Sequence, residues 1–190
     1  MDRGQIIRRL VHISAPVFLV YYYLPDPVFP GFVGKQSGLF LFLALILVIE
    51  AFRLYFSPQI IGMRDYENHR ISAAAWTAMA LTITLAFFPI EIALPVVLGM
   101  GWIDPIMGIM RARKSKFYPA IPVVLYFVLM IAPLTYFFGL NPLVIGASLV
   151  ATFLGIMAEI KKNWYIDDDF LMIIVPLFGL YAIFTAAGMI

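Results

Sequence analysis

Three consecutive aspartates, Asp167, Asp168 and Asp169, directly precede the last long apolar segment of the chain. A carboxylate at the edge of a membrane is costly unless it faces water, a cation or another polar partner. Clustered carboxylates suit a hard divalent ion such as Mg²⁺, and Mg²⁺ in turn binds phosphates. We therefore interpret Asp167–Asp169 as candidate metal ligands, and the run favours an enzyme that acts on a lipid.

A fourth aspartate, Asp104, interrupts an apolar segment that reads Gly-Trp-Ile-Asp-Pro-Ile-Met-Gly from Gly101 to Gly108. Gly101, Asp104 and Gly108 share one face of a helix, so the carboxylate is expected to lie in a trough without neighbouring side chains. Pro105 weakens the hydrogen-bond ladder just before it. An acid inside a span predicts a functional site, so Asp104 is a candidate catalytic residue or metal ligand. The alternative is close helix packing around Asp104.

Basic residues lie near both groups of acids. Near the N-terminus, Arg8 and Arg9 lie one helical turn from His12, where the arginines could clamp a phosphate and His12 could act in catalysis. A second basic cluster, placed to attract a nucleoside triphosphate, comprises Arg111, Arg113, Lys114 and Lys116. Both clusters could instead be ordinary determinants of membrane orientation.

Two further acids are candidates. Glu50 and Arg53 are three residues apart near the end of an apolar segment, where they form either an intrahelical ion pair or part of a site. Glu159 ends a helical side of small residues and is followed by Lys161, another candidate for binding the triphosphate. Glu159 and Asp167–Asp169 place four carboxylates close together in the sequence, which is more than orientation requires.

The elements that must position these residues are membrane helices. Of the 190 residues, 63% are hydrophobic and 13% charged, and the mean hydropathy is +0.96. A soluble domain of this length could not bury so much apolar surface, so the class expected is all-α, with residues 1–190 as one transmembrane domain. The absence of cysteine excludes disulfides and thiolate catalysis.

About seven apolar segments are predicted to span the membrane. They cover residues 10–25, 37–56, 71–89, 92–110, 117–138, 141–159 and 170–189. This arrangement places every Lys and Arg except Lys35, and every acid except Asp26 and Glu91, on one side of the membrane. The positive-inside rule makes that side cytoplasmic, with the N-terminus inside and the C-terminus outside. A polar site is therefore expected at the cytoplasmic face.

These motifs, in this order, resemble the dolichol kinase and phytol kinase family of membrane enzymes. The resemblance rests on four elements in order along the chain. They are Arg8-Arg9-Leu10-Val11-His12; Glu50-Ala51-Phe52-Arg53; Gly101-Trp102-Ile103-Asp104-Pro105-Ile106-Met107-Gly108 followed by Lys114-Ser115-Lys116; and Glu159 with Asp167-Asp168-Asp169 before Pro176.

The resemblance implies a kinase that uses a nucleoside triphosphate, commonly CTP, to phosphorylate an isoprenoid alcohol. Together with the positions of the charges it gives a hypothesis for the site. Asp167–Asp169, with Asp104 or Glu159, would hold Mg²⁺ on the triphosphate, and a carboxylate or His12 would accept the alcohol proton. Binding of the nucleotide is expected from Arg8, Arg9, Arg53, Gly101, Gly108, Arg111, Lys114, Lys116 and Lys161.

Other interpretations remain open. A membrane cytidylyltransferase that makes a CDP-activated lipid would need the same ion and the same charges. A small transporter is less favoured, because the middle of the membrane is nearly uncharged and no internal repeat is visible. A structural or assembly subunit would bind no nucleotide. The expected partners are the bilayer, a nucleoside triphosphate and an isoprenoid alcohol, without nucleic acid, and the protein could form oligomers.

Overall fold

A computed structural model describes residues 3–28, 34–56, 67, 69–160 and 165–190, with side chains from Ile6 onward. No strand occurs among these residues, so the predicted all-α class is confirmed for them. The helices are α1 (Arg3–Ser14), a 3₁₀ segment (Ala15–Tyr23), α2 (Lys35–Phe56), α3 (Ala73–Phe87), α4 (Ile90–Leu98), a π turn (Gly99–Ile103), α5 (Asp104–Ala112), α6 (Ala120–Phe138), α7 (Pro142–Ile160) and α8 (Asp168–Ala186).

Five helical segments of the described chain are long and apolar enough to cross a membrane. They are Lys35–Phe56, Ile90–Ala112, Ala120–Phe138, Pro142–Ile160 and Asp168–Ala186. The protein is therefore an integral membrane protein built from helices. Two of the seven predicted spans take shorter forms. α3 is a 15-residue apolar helix, and the first segment changes from an α-helix to a 3₁₀ helix at Ala15.

Proline explains both irregular segments. Pro16 has no N–H to donate to the carbonyl of His12, and the chain leaves the α conformation there. Pro105 likewise cannot donate to the carbonyl of Gly101, and the turn from Gly99 to Ile103 widens into a π helix. The expected weakening of the ladder before Pro105 is therefore confirmed. The π turn packs against α1, and the 3₁₀ segment packs against α4.

α7 packs against α6 and α8, and α4 packs against α6 and α8. Of the five long segments, Ile90–Ala112 is the most buried. The small face predicted for the sixth segment is buried, including Ala147, Ala151 and Gly155. Tyr126 of α6 is completely buried, and its hydroxyl lies 3.5 Å from the carbonyl oxygen of Met172. A Cβ added at Gly155 would overlap that hydroxyl oxygen. Gly155 is therefore required for the tyrosine to enter the core.

The glycine contact gives a stability prediction. Gly155→Val should lower the free energy of unfolding by about 1–3 kcal/mol, because the new side chain overlaps Tyr126. Gly146→Val on the same helix is the matched control, since a Cβ there meets nothing within 4 Å. Thermal unfolding in one detergent measures both variants. Equal melting temperatures would contradict the packing described for Tyr126.

α2 contacts α3 near both of its ends. At one end, Glu50 of α2 accepts hydrogen bonds from the backbone and hydroxyl of Ser72, the residue that caps α3. At the other end, the rings of Phe40 and Phe87 lie 6.3 Å apart. Between these ends, side chains of α2, α3 and the first helical segment line a cavity, which we call the α1–α3 groove.

Candidate functional site

Five carboxylates from three helical segments meet at one end of the bundle. They are Asp104 of α5, Glu159 of α7, and Asp167, Asp168 and Asp169 at the start of α8. They form two groups, Asp104–Glu159–Asp168 and Asp167–Asp168–Asp169, in each of which one ligand atom per residue lies within 4.8 Å of the others. The structure therefore brings together all the metal ligands predicted from the sequence. We call this set the carboxylate cluster.

Asp169 is held by two cationic residues of α1. Nε2 of His12 lies 2.8 Å from Oδ2 of Asp169, and Nη2 of Arg8 lies 3.9 Å from the same oxygen. Both His12 and Asp169 are buried. Arg8 and His12 of α1 therefore contact the acidic motif at the start of α8. These two motifs, which are far apart in the sequence, belong to one site.

The hydrogen bonds of His12 define its protonation. Nδ1 lies 2.8 Å from the carbonyl oxygen of Arg8, while Nε2 faces the Asp169 carboxylate. A carbonyl oxygen and an ionised carboxylate only accept hydrogen bonds, so both ring nitrogens donate. The pairing is that of an imidazolium beside a carboxylate. Oδ2 of Asp104 lies 3.8 Å from the same Nε2, so the charge of His12 is shared between two acids.

The oxygen atoms of the cluster fit a hard divalent cation. Glu159 is 2% exposed, and its Oε2 has no hydrogen-bond partner among the described residues. A buried carboxylate oxygen without a partner is costly, and a cation in the Asp104–Glu159–Asp168 group would satisfy it. Both nitrogens of His12 are already hydrogen bonded, which leaves a set of oxygen ligands. Such a set suits Mg²⁺ better than a metal that prefers nitrogen or sulfur.

Arg111 forms an ion pair with Glu159. Its Nη2 contacts Oε1 of Glu159, and its guanidinium carbon lies 5.6 Å from the centre of the Tyr118 ring. The side chain of Arg111 is 41% exposed, whereas that of Glu159 is 2% exposed. The predicted phosphate-binding arginine therefore also neutralises a buried acid of the cluster, a pairing that the sequence spacing did not indicate.

Asp167 has a structural role as well as a place in the cluster. Its side chain accepts a hydrogen bond from the backbone N–H of Asp169 and caps the start of α8. Burial, followed by repulsion from Asp169 and Asp168, raises the pKa of Asp167 to about 7. The carboxyl therefore gains a proton at a pH where an exposed aspartate is ionised.

The raised pKa of Asp167 gives a prediction for metal binding. A ligand must lose its proton before it binds a cation, so Mg²⁺ should raise the melting temperature more at about pH 8 than at about pH 6. Without Mg²⁺, the dependence of stability on pH has the opposite sign. Asp167 holds a proton in the folded state that it has lost in the unfolded state, so stability falls as the pH rises towards 7. Differential scanning calorimetry measures both effects. Asp167→Asn retains a helix-capping residue and should remove much of the pH dependence.

The two glycines of the predicted trough have different surroundings. A Cβ at Gly101 would lie 2.8 Å from the carbonyl oxygen of His12, so this glycine allows the first helical segment to approach the π turn. A Cβ at Gly108 would meet nothing within 4 Å, so open space lies beside α5 at that point. The π turn before Asp104 was not predicted from the sequence, although Pro105 was the available signal.

Glu50 and Arg53 form a separate polar group. Arg53 donates to both carboxylate oxygens of Glu50, and to the backbone carbonyls of Glu67 and Arg70 at 2.9 and 2.6 Å. Together with Ser72, this pair fixes the end of α2 to the start of α3. The intrahelical ion pair is therefore confirmed, while neither residue belongs to a metal-ligand group among the described residues. The contacts of Arg53 with these backbone carbonyls could not be predicted from the sequence, because every residue has a carbonyl.

Three of the remaining predicted basic residues lie on or just after helices that carry residues of the candidate site. Arg9 is half-buried on α1, next to Arg8. Lys114 and Lys116 are exposed in the turn that follows α5, where Lys114 has a left-handed backbone with φ of 48°. Lys161 lies outside the described residues.

At the opposite end of α2, two of the three charged residues predicted to lie outside, Asp26 and Lys35, are in contact. The backbone N–H of Lys35 donates to Oδ1 of Asp26 at 2.8 Å. The ammonium group of Lys35 lies 3.3 Å from the carbonyl oxygen of Tyr22 and 4.7 Å from the centre of the Tyr21 ring. The cations near the carboxylate cluster and the Lys35 group therefore lie at different ends of the bundle.

Comparison of the chain with protein-family models, with curated proteins and with solved structures finds no match.

Proposed function

We propose that the protein is a Mg²⁺-dependent kinase that transfers the terminal phosphate of a nucleoside triphosphate, CTP in the first instance, to an isoprenoid alcohol. The observation that carries the proposal is the carboxylate cluster, in which acids of α5, α7 and α8 meet the cations of α1 and α5. Phosphoryl transfer depends on positioning and on neutralisation of phosphate charge, and it needs little covalent chemistry from the protein. The resemblance of the four sequence motifs to polyprenol kinases supports the choice of acceptor.

Each residue of the site is assigned a role, and Asp104 is assigned two. Asp104, Glu159 and Asp168, with Asp167 from the group that shares Asp168, are assigned to hold Mg²⁺, which when bound would neutralise the phosphate oxygens. Arg8 and Arg111, at the margin of the cluster, are assigned to the triphosphate. His12 orients Asp169 and offsets its charge, because neither ring nitrogen is left to accept a proton.

Asp104 is the proposed proton acceptor. It belongs to the group with His12 and Asp169 and also to the group with Glu159 and Asp168, so it lies between the two halves of the site. In the transfer, the O–H bond of the alcohol breaks and its proton passes to one oxygen of Asp104. A new P–O bond forms at the terminal phosphorus, the bond to the neighbouring phosphate breaks, and a nucleoside diphosphate leaves.

Purified protein tests the reaction directly. The protein in detergent is incubated with Mg²⁺, a panel of prenols, and CTP or ATP labelled in the terminal phosphate. Label should appear in a phosphorylated lipid together with a nucleoside diphosphate. Release of pyrophosphate with a CDP-lipid would instead establish the cytidylyltransferase. Absence of nucleotide binding by equilibrium dialysis would reject both enzymes.

We further propose seven spans, with the carboxylate cluster at the cytoplasmic face. The proposal adds the first helical segment and the short α3 to the five long helices, and it is supported by the sorting of basic residues. A topology reporter fused after Ile190 should lie on the external side of the membrane, and one inserted at Lys114 should lie on the cytoplasmic side. A C-terminal reporter on the cytoplasmic side would contradict the arrangement.

A further inference from the structure

The α1–α3 groove is a cavity of about 530 Å³ beside the carboxylate cluster. One side is a stripe on α2 formed by Leu39, Phe42, Ile46 and Ile49, which recur at the spacing of one helical face. The facing side on α3 includes Ala74 and Ala78, whose small side chains leave the space open. Its volume is within the range of about 300–1,000 Å³ that is typical of ligand sites.

The groove carries charged side chains at one end only, while Thr77 and Thr82 are the polar residues that α3 adds along its length. Arg8, His12, Glu50 and Arg53 line that end, whereas at the other end the rings of Phe18 and Phe42 meet with centroids 6.2 Å apart. The polar end is continuous with the cluster, because His12 lines the groove and also bonds Asp169. A ligand that follows the groove therefore needs a long apolar part and one polar end group.

The surroundings of the groove are apolar as well. Beyond its groove stripe, α2 exposes large side chains such as Leu41, Leu45 and Val48, each at least half exposed. Since α2 is a membrane-spanning helix, hydrocarbon covers this surface. An amphiphile could therefore enter the groove from the bilayer without passing through water.

We infer that the α1–α3 groove binds the hydrocarbon chain of the acceptor alcohol and places its hydroxyl beside His12 and Asp104. The inference rests on the proposed function and adds a location for the lipid substrate. The four α2 side chains and the two alanines of α3 then determine which chains fit. A single isoprenoid chain matches one elongated cavity with one polar end, whereas a phospholipid carries two chains and a bulky head group.

Filling the groove tests this assignment. Ala78→Phe places a ring among the lining residues, and it should raise KM for geranylgeraniol by about tenfold or more. The KM and kcat for dimethylallyl alcohol, which is too short to extend along the groove, should stay within about twofold of wild type. Ala44→Phe is the control. Ala44 is exposed and lies about half a turn around α2 from the groove stripe. Equal effects of Ala78→Phe on both alcohols, in a protein that melts normally, would overturn the inference.

Photo-crosslinking provides a second measurement that does not require turnover. A geranylgeraniol analogue with a terminal diazirine is irradiated with the wild-type protein without nucleotide, and labelled peptides are mapped by mass spectrometry. Label on the facing residues of α2 and α3 is expected, and unlabelled geranylgeraniol should compete. Groove labelling without phosphate transfer would reject the kinase and retain the binding site. Preferential labelling by a diazirine phospholipid that the prenol does not displace would reject the lipid alcohol as the occupant.

Discussion

Asp104→Asn should lower phosphate transfer by about two to four orders of magnitude, the largest effect we expect from a single substitution. The amide cannot accept the alcohol proton and is a weaker ligand for Mg²⁺. It also has nearly the same size and shape as the carboxylate, so packing around α5 is retained. Stability without Mg²⁺ should change little or rise slightly, because the amide no longer repels Asp168 and Asp169. Steady-state kinetics and thermal unfolding separate these two effects.

Asp26→Asn is the matched control for Asp104→Asn. Asp26 lies at the other end of the bundle, where it accepts a hydrogen bond from the backbone of Lys35, and the amide oxygen of Asn can still accept that bond. Its activity should remain within about twofold of wild type. Full activity of Asp104→Asn would show that the aspartate only fills space beside the π turn. A large loss in both variants would point to a general effect of charge on folding.

The composition of the site was predictable from the sequence because membrane helices alternate in direction. Apolar segments of similar length return the chain to the same side at every second turn, so charges at the ends of different helices are brought to one face. Arg8, His12 and Asp169 are far apart in the sequence, and their meeting follows from this alternation. The all-α class follows from hydropathy in the same way, because backbone groups inside a bilayer must be satisfied within each helix.

The pairings within the site were not predictable, because they depend on how each helix is rotated about its axis. Hydropathy places Glu159 and Arg111 on the same side, but only packing of α5 against the rest of the bundle brings the two side chains into contact. The π turn changes the rotation of α5 relative to α4, since it inserts a wider turn before Asp104. The prediction that Gly101, Asp104 and Gly108 share one face applies to a regular α-helix, from which the π turn departs.

The contacts of Glu50 and Arg53 were also only partly predictable from the sequence. Their spacing predicted the ion pair between them, which is local to one helix. The partners that decide its structural role are the backbone of Ser72 and two carbonyls of the preceding segment. Backbone groups are present at every position, so no residue pattern identifies which of them an arginine will reach. The pair consequently forms one end of the α1–α3 groove while remaining outside the metal-ligand groups.

Arg111→Gln should lower the free energy of unfolding by about 1–3 kcal/mol when Mg²⁺ is absent. The substitution leaves the buried Glu159 carboxylate without the cation that neutralises it in the wild-type protein. The cost is below that of a fully buried pair, because the Arg111 side chain is 41% exposed and water screens part of its charge. If Glu159 is a metal ligand, Mg²⁺ should stabilise Arg111→Gln more than it stabilises the wild type.

The double variant Arg111→Gln/Glu159→Gln completes the test of this pair. It removes both charges, so its stability without Mg²⁺ should return towards that of the wild type, and the additional stabilisation by Mg²⁺ should disappear. A double-mutant cycle of chemical unfolding at two Mg²⁺ concentrations measures both the coupling between the two residues and the stabilisation by Mg²⁺. Additive losses from the two substitutions would indicate that the ion pair contributes little to stability. If Mg²⁺ stabilises Arg111→Gln and the wild type equally, Glu159 is not one of the ligands. A buried carboxylate that has lost its arginine is the acid of the cluster that a bound cation should stabilise most.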